Sequence, residues 1–123
     1  MVSFDSFLMT DGTPIYLQII TYLKRGMVAG TVRDADELPS RRVLSARLGV
    51  NPNTVQKAYR MLEEEGLIES RTGAKSCIAL TPDTLARVRE ELLEHDARQI
   101  VSALGQMGLS KAEALALIDR YWQ

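Results

Sequence analysis

The sequence predicts a mainly α-helical chain with one small β-hairpin, and three observations predict it. Apolar residues recur with a period of about 3.6 in five separate stretches. Prolines and glycines sit where those stretches begin and end. Between residues 67 and 80 the helical period is lost, and two short β-prone runs flank the turn-forming residues Thr72-Gly73-Ala74-Lys75.

Residues 1–12 hold no period and read as a flexible arm. Thr13-Pro14 reads as an N-cap followed by proline at the first helical position. Tyr16, Ile19, Ile20, Leu23 and Met27 then mark one face of a first helix, which Gly30 ends. A polar connection leads to Ser40, the cap of a short second helix whose apolar face reads as Val43, Leu44 and Leu48. Gly49 breaks it, and Asn51-Pro52 repeats the cap-then-proline signal. Val55, Ala58, Tyr59 and Leu62 form the apolar face of a third helix, about 52–65, stopped by Gly66. Two helices across a tight glycine turn make a helix-turn-helix, and a hairpin behind it, with strands read as 67–70 and 76–80, makes a wing. The predicted fold is therefore a winged helix-turn-helix domain, residues 13–80, followed by a two-helix tail, 81–123. In that tail a long helix of about 82–107 follows Thr81-Pro82, with a seam of Leu85, Val88 and Leu92 that Leu93, Ala97, Ile100, Leu104 and Met107 continue after a stutter. Ser110 and Glu113 are spaced as a capping box for a last helix carrying Leu115, Ile118 and Trp122.

Over the 123 residues the net charge is −1, a balance that by itself points away from nucleic acid. Its distribution points the other way. Residues 24–75 carry ten bases against seven acids, whereas both ends are acidic. Within residues 38–62, Arg41, Arg42, Arg47, Lys57 and Arg60 stand without a single acid, a local basic footprint of the kind that meets phosphate. No stretch of the sequence has the length and apolarity of a membrane span, and the first residues lack a signal-peptide pattern. A lone cysteine, Cys77, suits a reducing compartment, and the cytoplasm is expected.

Facing the core with Val55, Ala58, Tyr59 and Leu62 turns Asn53, Gln56, Lys57 and Arg60 to the opposite side of the third helix. Asn and Gln pair bidentately with adenine, and Lys and Arg serve guanine or phosphate. The N-terminal part of the second helix of a helix-turn-helix is what meets base edges, and Asn51, Asn53, Thr54, Gln56 and Lys57 fill it. Arg41 and Arg42 fall in the first turn of the preceding helix, where the helix dipole favours acids. Either an anionic partner accounts for them or both simply extend into solvent. In the wing, Arg71, Thr72, Gly73 and Lys75 are placed either to approach the backbone or minor groove or simply to turn the hairpin.

Taken together, Pro14-Ile15-Tyr16-Leu17-Gln18-Ile19, Leu38-Pro39-Ser40, Arg42, Leu48-Gly49-Val50, Asn53-Thr54-Val55, Ala58-Tyr59 and Leu62-Glu63-Glu64-Glu65-Gly66-Leu67-Ile68 resemble the DNA-binding domain of the GntR family of bacterial regulators. Asn51-Pro52-Asn53-Thr54-Val55 and the short tail are similar to its YtrA-type subgroup. The resemblance implies DNA contacts at Arg42, Asn53, Thr54, Gln56 and Gly73, and a dimer interface made by the two tail helices. This sequence departs from the wider family in having Pro52 and Gln56 where arginine is common, and Lys75 and Cys77 where the wing usually has a second glycine and an aromatic.

The expected protein is a homodimer on an inverted-repeat operator of double-stranded DNA, with repression the expected outcome. Leu92, Ile100, Leu104, Met107, Leu115, Ile118 and Trp122 are the expected dimer contacts. An enzyme is not expected. His95, the only histidine, lies in the long tail helix far in sequence from Cys77, and one His with one Cys supplies too few ligands for a metal site. No cofactor or metal is expected, and nothing in the sequence identifies a small-molecule effector. A winged helix used only for protein association is the competing class, set against by the acid-free polar face of residues 51–60.

Overall fold

In a computed structural model, which describes residues 1–71 and 75–123, the chain runs α1 (Ile15–Ala29), α2 (Arg41–Leu48), α3 (Pro52–Glu64), β1 (Ile68–Arg71), β2 (Lys75–Ile78), α4 (Pro82–Gln106) and α5 (Lys111–Tyr121). It divides into two compact units, Met1–Arg89 and Glu90–Gln123.

In the first unit the apolar stripes anticipated from the sequence make the core. Ile19, Ile20, Leu23 and Met27 of α1 and Val55, Ala58, Tyr59 and Leu62 of α3 are all buried, joined by Leu44 of α2 and by Leu67, Ile68 and Ile78 of the wing. Ser40 and Asn51 cap α2 and α3 through their side chains, accepting from Val43 N and Asn53 N at 3.1 and 2.8 Å. Gly66, at φ 76°, closes α3 in the left-handed conformation, and Leu67 N donates back to Leu62 O at 2.9 Å.

Four expectations of local structure are corrected. Helix α1 begins at Ile15, with Pro14 as its N-cap and no side-chain cap; Thr13 precedes the cap, and Gln18 Nε2 donates to its carbonyl oxygen at 2.7 Å. Val43, read as core, is 58% exposed; the inward stripe of α2 is Arg41, Leu44, Ser45 and Leu48, and its polar members concealed it from a hydrophobic pattern. The hairpin pairs Ile68↔Ile78 through Arg71↔Lys75, so Arg71 and Lys75 belong to the strands rather than flanking or forming the turn, and residues 79–80 lie beyond β2.

The polar connection after α1 lies along the free edge of β2. Ala35 N donates to Ile78 O, Ile78 N to Asp36 O and Leu38 N to Ser76 O, all within 2.9 Å. That pairing covers an edge the two-stranded hairpin would otherwise leave open. Lastly, the segment expected to be a flexible arm is seated on the first unit. Val2 and Phe4 are buried, and Val2 N donates to Glu37 O at 2.8 Å. Phe4 stacks on Tyr22 with 5.2 Å between centroids, Phe7 meets both rings edge-on, and Tyr22 OH donates to Ser3 O at 2.7 Å. The Gln18 side chain brackets Thr10, accepting from its N and donating to its O, each at 2.9 Å.

The first unit also extends past the expected boundary at residue 80. Val88 is the one buried residue of α4, and Arg87 Nη2 donates to Glu65 O at 3.0 Å. In the second unit Ser110 and Glu113 form the capping box of α5. Among the described residues no helix is long and apolar enough to cross a membrane.

Because Phe4 is 3% exposed in an aromatic cluster, Phe4→Ala should destabilise the protein by about 3 kcal/mol in urea unfolding. Leu8→Ala, at an 81% exposed position, should change stability by less than about 0.5 kcal/mol. A second expectation concerns Tyr59, whose hydroxyl donates to Pro39 O at 2.8 Å. Burial pushes its phenol well above the ordinary tyrosine value, and nearby Arg41 only partly opposes this. A pKa raised in the folded state contributes stability that is fully present below the unfolded value, about 10, and is lost as pH climbs past it. Tyr59→Phe should therefore cost about 1–2 kcal/mol at neutral pH and make the alkaline decline in melting temperature shallower.

Candidate nucleic-acid interface

Packing one stripe of α3 into the core dictates what its other side presents. Asn53, Gln56, Lys57 and Arg60 are exposed, and Thr54 is half-buried with its N–H on Asn51 O at 2.9 Å. Asn51 is exposed and has its side chain committed to the cap. Neither α2 nor α3 has an acid in its first turn, so the positive ends of both helix dipoles are left uncompensated by carboxylates.

The cations of the acid-free window divide into two groups. Arg47 pairs with Asp5 of the N-terminal segment, and Arg60 lies 4.0 Å from Glu64 one turn along α3. Both pairs are exposed, and such pairs contribute little. Among the described residues Arg41, Arg42 and Lys57 have no carboxylate partner. Arg42 is exposed at the start of α2. Arg41 is half-buried, with its guanidinium 5.5 Å from the centroid of the Tyr59 ring and its Nε buried without an acceptor. Lys57 Nζ stands 4.0 Å from the centroid of the Tyr16 ring.

Lys75, at the first position of β2, is exposed and 3.6 Å from Glu37. Gly73, expected to approach DNA at the wing tip, lies outside the described residues. On β1, opposite Lys75, Arg71 is tied to Glu69 of the same strand, with Nη2 at 2.7 Å from Oε1, a contact that raises the already high guanidinium pKa.

Three residues that shape this surface went unnoticed in the sequence as contributors to it. Tyr16 and Tyr59 read as core, and both do face inward, yet their rings also carry Lys57 and Arg41. Asp5 lies 42 residues from Arg47, a separation no local pattern spans. Among the described residues no three His, Cys, Asp or Glu side chains cluster as a metal site. His95 is exposed, and Cys77 is a buried free thiol.

Known proteins resemble this chain in sequence and in fold. Residues 15–76 match the family described as "Bacterial regulatory proteins, gntR family". The HTH-type transcriptional regulator YhcF of Bacillus subtilis is 32% identical over 108 residues, covering 88% of this chain and 89% of that protein. The HTH-type transcriptional repressor YtrA of the same organism is 38% identical over 92 residues, covering 74% of this chain and 71% of that protein. A GntR family transcriptional regulator from Listeria monocytogenes superposes with a TM-score of 0.81 at 28% identity, covering 93% of this chain and all of the other. The fold, the exposed face of α3 and these relatives agree: the chain belongs to the GntR family of bacterial regulatory proteins, as a YtrA-like transcriptional regulator with a DNA-binding winged-helix fold and not an enzyme.

Proposed function

We propose that the protein is a cytoplasmic repressor that binds an inverted-repeat operator as a homodimer, with α3 in the major groove and the wing beside it. One observation carries the reading of the site. The exposed side of α3 presents uncharged readers, Asn53 and Gln56, flanked by cations that no carboxylate neutralises. Asn53 and Gln56 discriminate bases, with Thr54 and the cap residue Asn51 at the same end of the helix. Lys57 and Arg41 hold phosphate, Arg42 serves phosphate or guanine, and Arg60, Lys75 and Gly73 approach the backbone at the margins. Repression is supported by the similarity to the relative named as a repressor.

The second unit supports the dimer. None of residues 90–123 is buried. Ile100, Met107, Leu115, Ile118 and Trp122 are exposed, Trp122 at 79%, while Leu92 and Leu104 are half-buried. A helix pair with this much apolar surface in water needs a partner, and a second copy related by a two-fold axis offers the matching face. Two α3 helices that enter successive major grooves of one operator lie about 34 Å apart, one turn of DNA.

Two outcomes are expected. In salt titrations, Asn53→Ala and Gln56→Ala should each cost about 1–3 kcal/mol on the operator and leave binding to a scrambled duplex nearly unchanged. Arg42→Gln and Lys57→Gln should each lower the slope of log K against log salt by about one. Parent-like operator binding by both alanine variants would move the reader from α3 to the wing. For the dimer, sedimentation should give twice the chain mass at micromolar concentration, and Ile118→Glu should shift it to the monomer. A parent protein that sediments as a monomer sinks the dimer.

A further inference from the structure

Salt bridges and aromatic rings hold the basic residues of the first unit in two physically different ways. A carboxylate within reach cancels the cation's charge and competes with phosphate for the same N–H groups. A ring face attracts the cation through its quadrupole, leaves the full charge in place, and occupies only one side of it. The cations at the outer positions are held in the first way: Arg47 by Asp5, Arg60 by Glu64, Lys75 by Glu37. Lys57, in the middle of the exposed face of α3, is held in the second way, its Nζ 4.0 Å from the centroid of Tyr16, a half-buried residue in the first turn of α1. Arg41 at the start of α2 repeats the device on Tyr59.

We propose that Tyr16 is a positioning residue for DNA binding: its ring holds the Lys57 ammonium at a fixed point on the α3 face, charged and open to a phosphate on its outer side. A free lysine samples many rotamers and loses that freedom when it meets the backbone. The ring imposes part of the restriction beforehand. It also draws the ammonium toward α1, the helix that carries Tyr16. The inference rests on α3 being the DNA-facing helix, and its test separates the two.

Affinity for a scrambled duplex and its salt dependence are measured for the parent, Y16F, Y16L, K57Q and Y16L/K57Q, with melting curves to show that each is folded. Y16F, which keeps the ring, should bind as the parent does. Y16L should bind about two- to five-fold more weakly with an unchanged salt slope, because the charge remains but is no longer placed. In the K57Q background Y16L should have no effect, a coupling that a purely structural tyrosine does not produce. Equal losses from Y16L with and without K57Q, or parent-like binding by Y16L, overturn the proposal. If K57Q itself binds as the parent does, Lys57 is not at the interface and the proposal falls, whereas α3 as the reader is overturned only by parent-like operator binding of both Asn53→Ala and Gln56→Ala. Should Y16L not fold, the Lys57 ε-methylene protons decide. They should resonate upfield of those of the other lysines in the parent and Y16F, and ordinary shifts there overturn the proposal.

Discussion

Burial of Tyr59 is the constraint on which the DNA-facing surface depends. The residue sits on α3 between Val55 and Leu62 in the one stripe that packs inward, and it is 1% exposed. Its hydroxyl donates to Pro39 O, immediately before the cap of α2. A buried phenol without an acceptor costs about 1–3 kcal/mol, so the bond ties the rotation of α3 to the position at which α2 begins. The face of the same ring lies against the Arg41 guanidinium. One side chain thereby fixes which residues of α3 point outward, where α2 starts, and where a cation of α2 stands. The remaining core residues supply the apolar area that makes this arrangement stable, but they do not orient it in the same way.

How much was legible in the sequence follows from how local each determinant is. For α3, cap, N1 proline, stripe and terminal glycine all lie within sixteen residues, Asn51 to Gly66, and they agree; the exposed face followed by geometry. The capping box of α5 is equally local. Helix α2 was misjudged at Val43 because its inward stripe includes Arg41 and Ser45, which a hydrophobic pattern assigns to the outside. The N-terminal segment was misjudged for a different reason. Val2 and Phe4 find their partners in Glu37 and Tyr22, far along the chain, and nothing periodic announces a segment held by two aromatic contacts and a few backbone bonds. The strand-like connection at residues 35–38 is likewise invisible, since its composition is polar and its pairing is with β2, some forty residues on.

A protein of net charge −1 that binds DNA must concentrate its positive potential, and the structure shows how. Acids are kept out of the first turns of α2 and α3, so the helix dipoles add to the side-chain charges instead of being compensated. Asp5 and Glu37, contributed by the N-terminal segment and the connection before α2, reach only Arg47 and Lys75. Glu63 is occupied by the Ser70 hydroxyl, and Glu65 by Lys24 at 2.9 Å. The acids of the first unit are thus spent away from Arg41, Arg42 and Lys57.

With so few unneutralised cations, non-specific attraction to the phosphate backbone is modest, and it scales with their number. On the proposed reading, discrimination among sites falls on the uncharged residues of α3. Asn53 and Gln56 gain only where donor and acceptor patterns match, because an amide facing the wrong base edge leaves its hydrogen bonds unmade. A regulator with strong basic tails binds everywhere and must overcome its own non-specific sites. Here the acidic termini and the carboxylate-paired outer cations act in one direction. They keep general affinity low and leave the difference between sites to the amides.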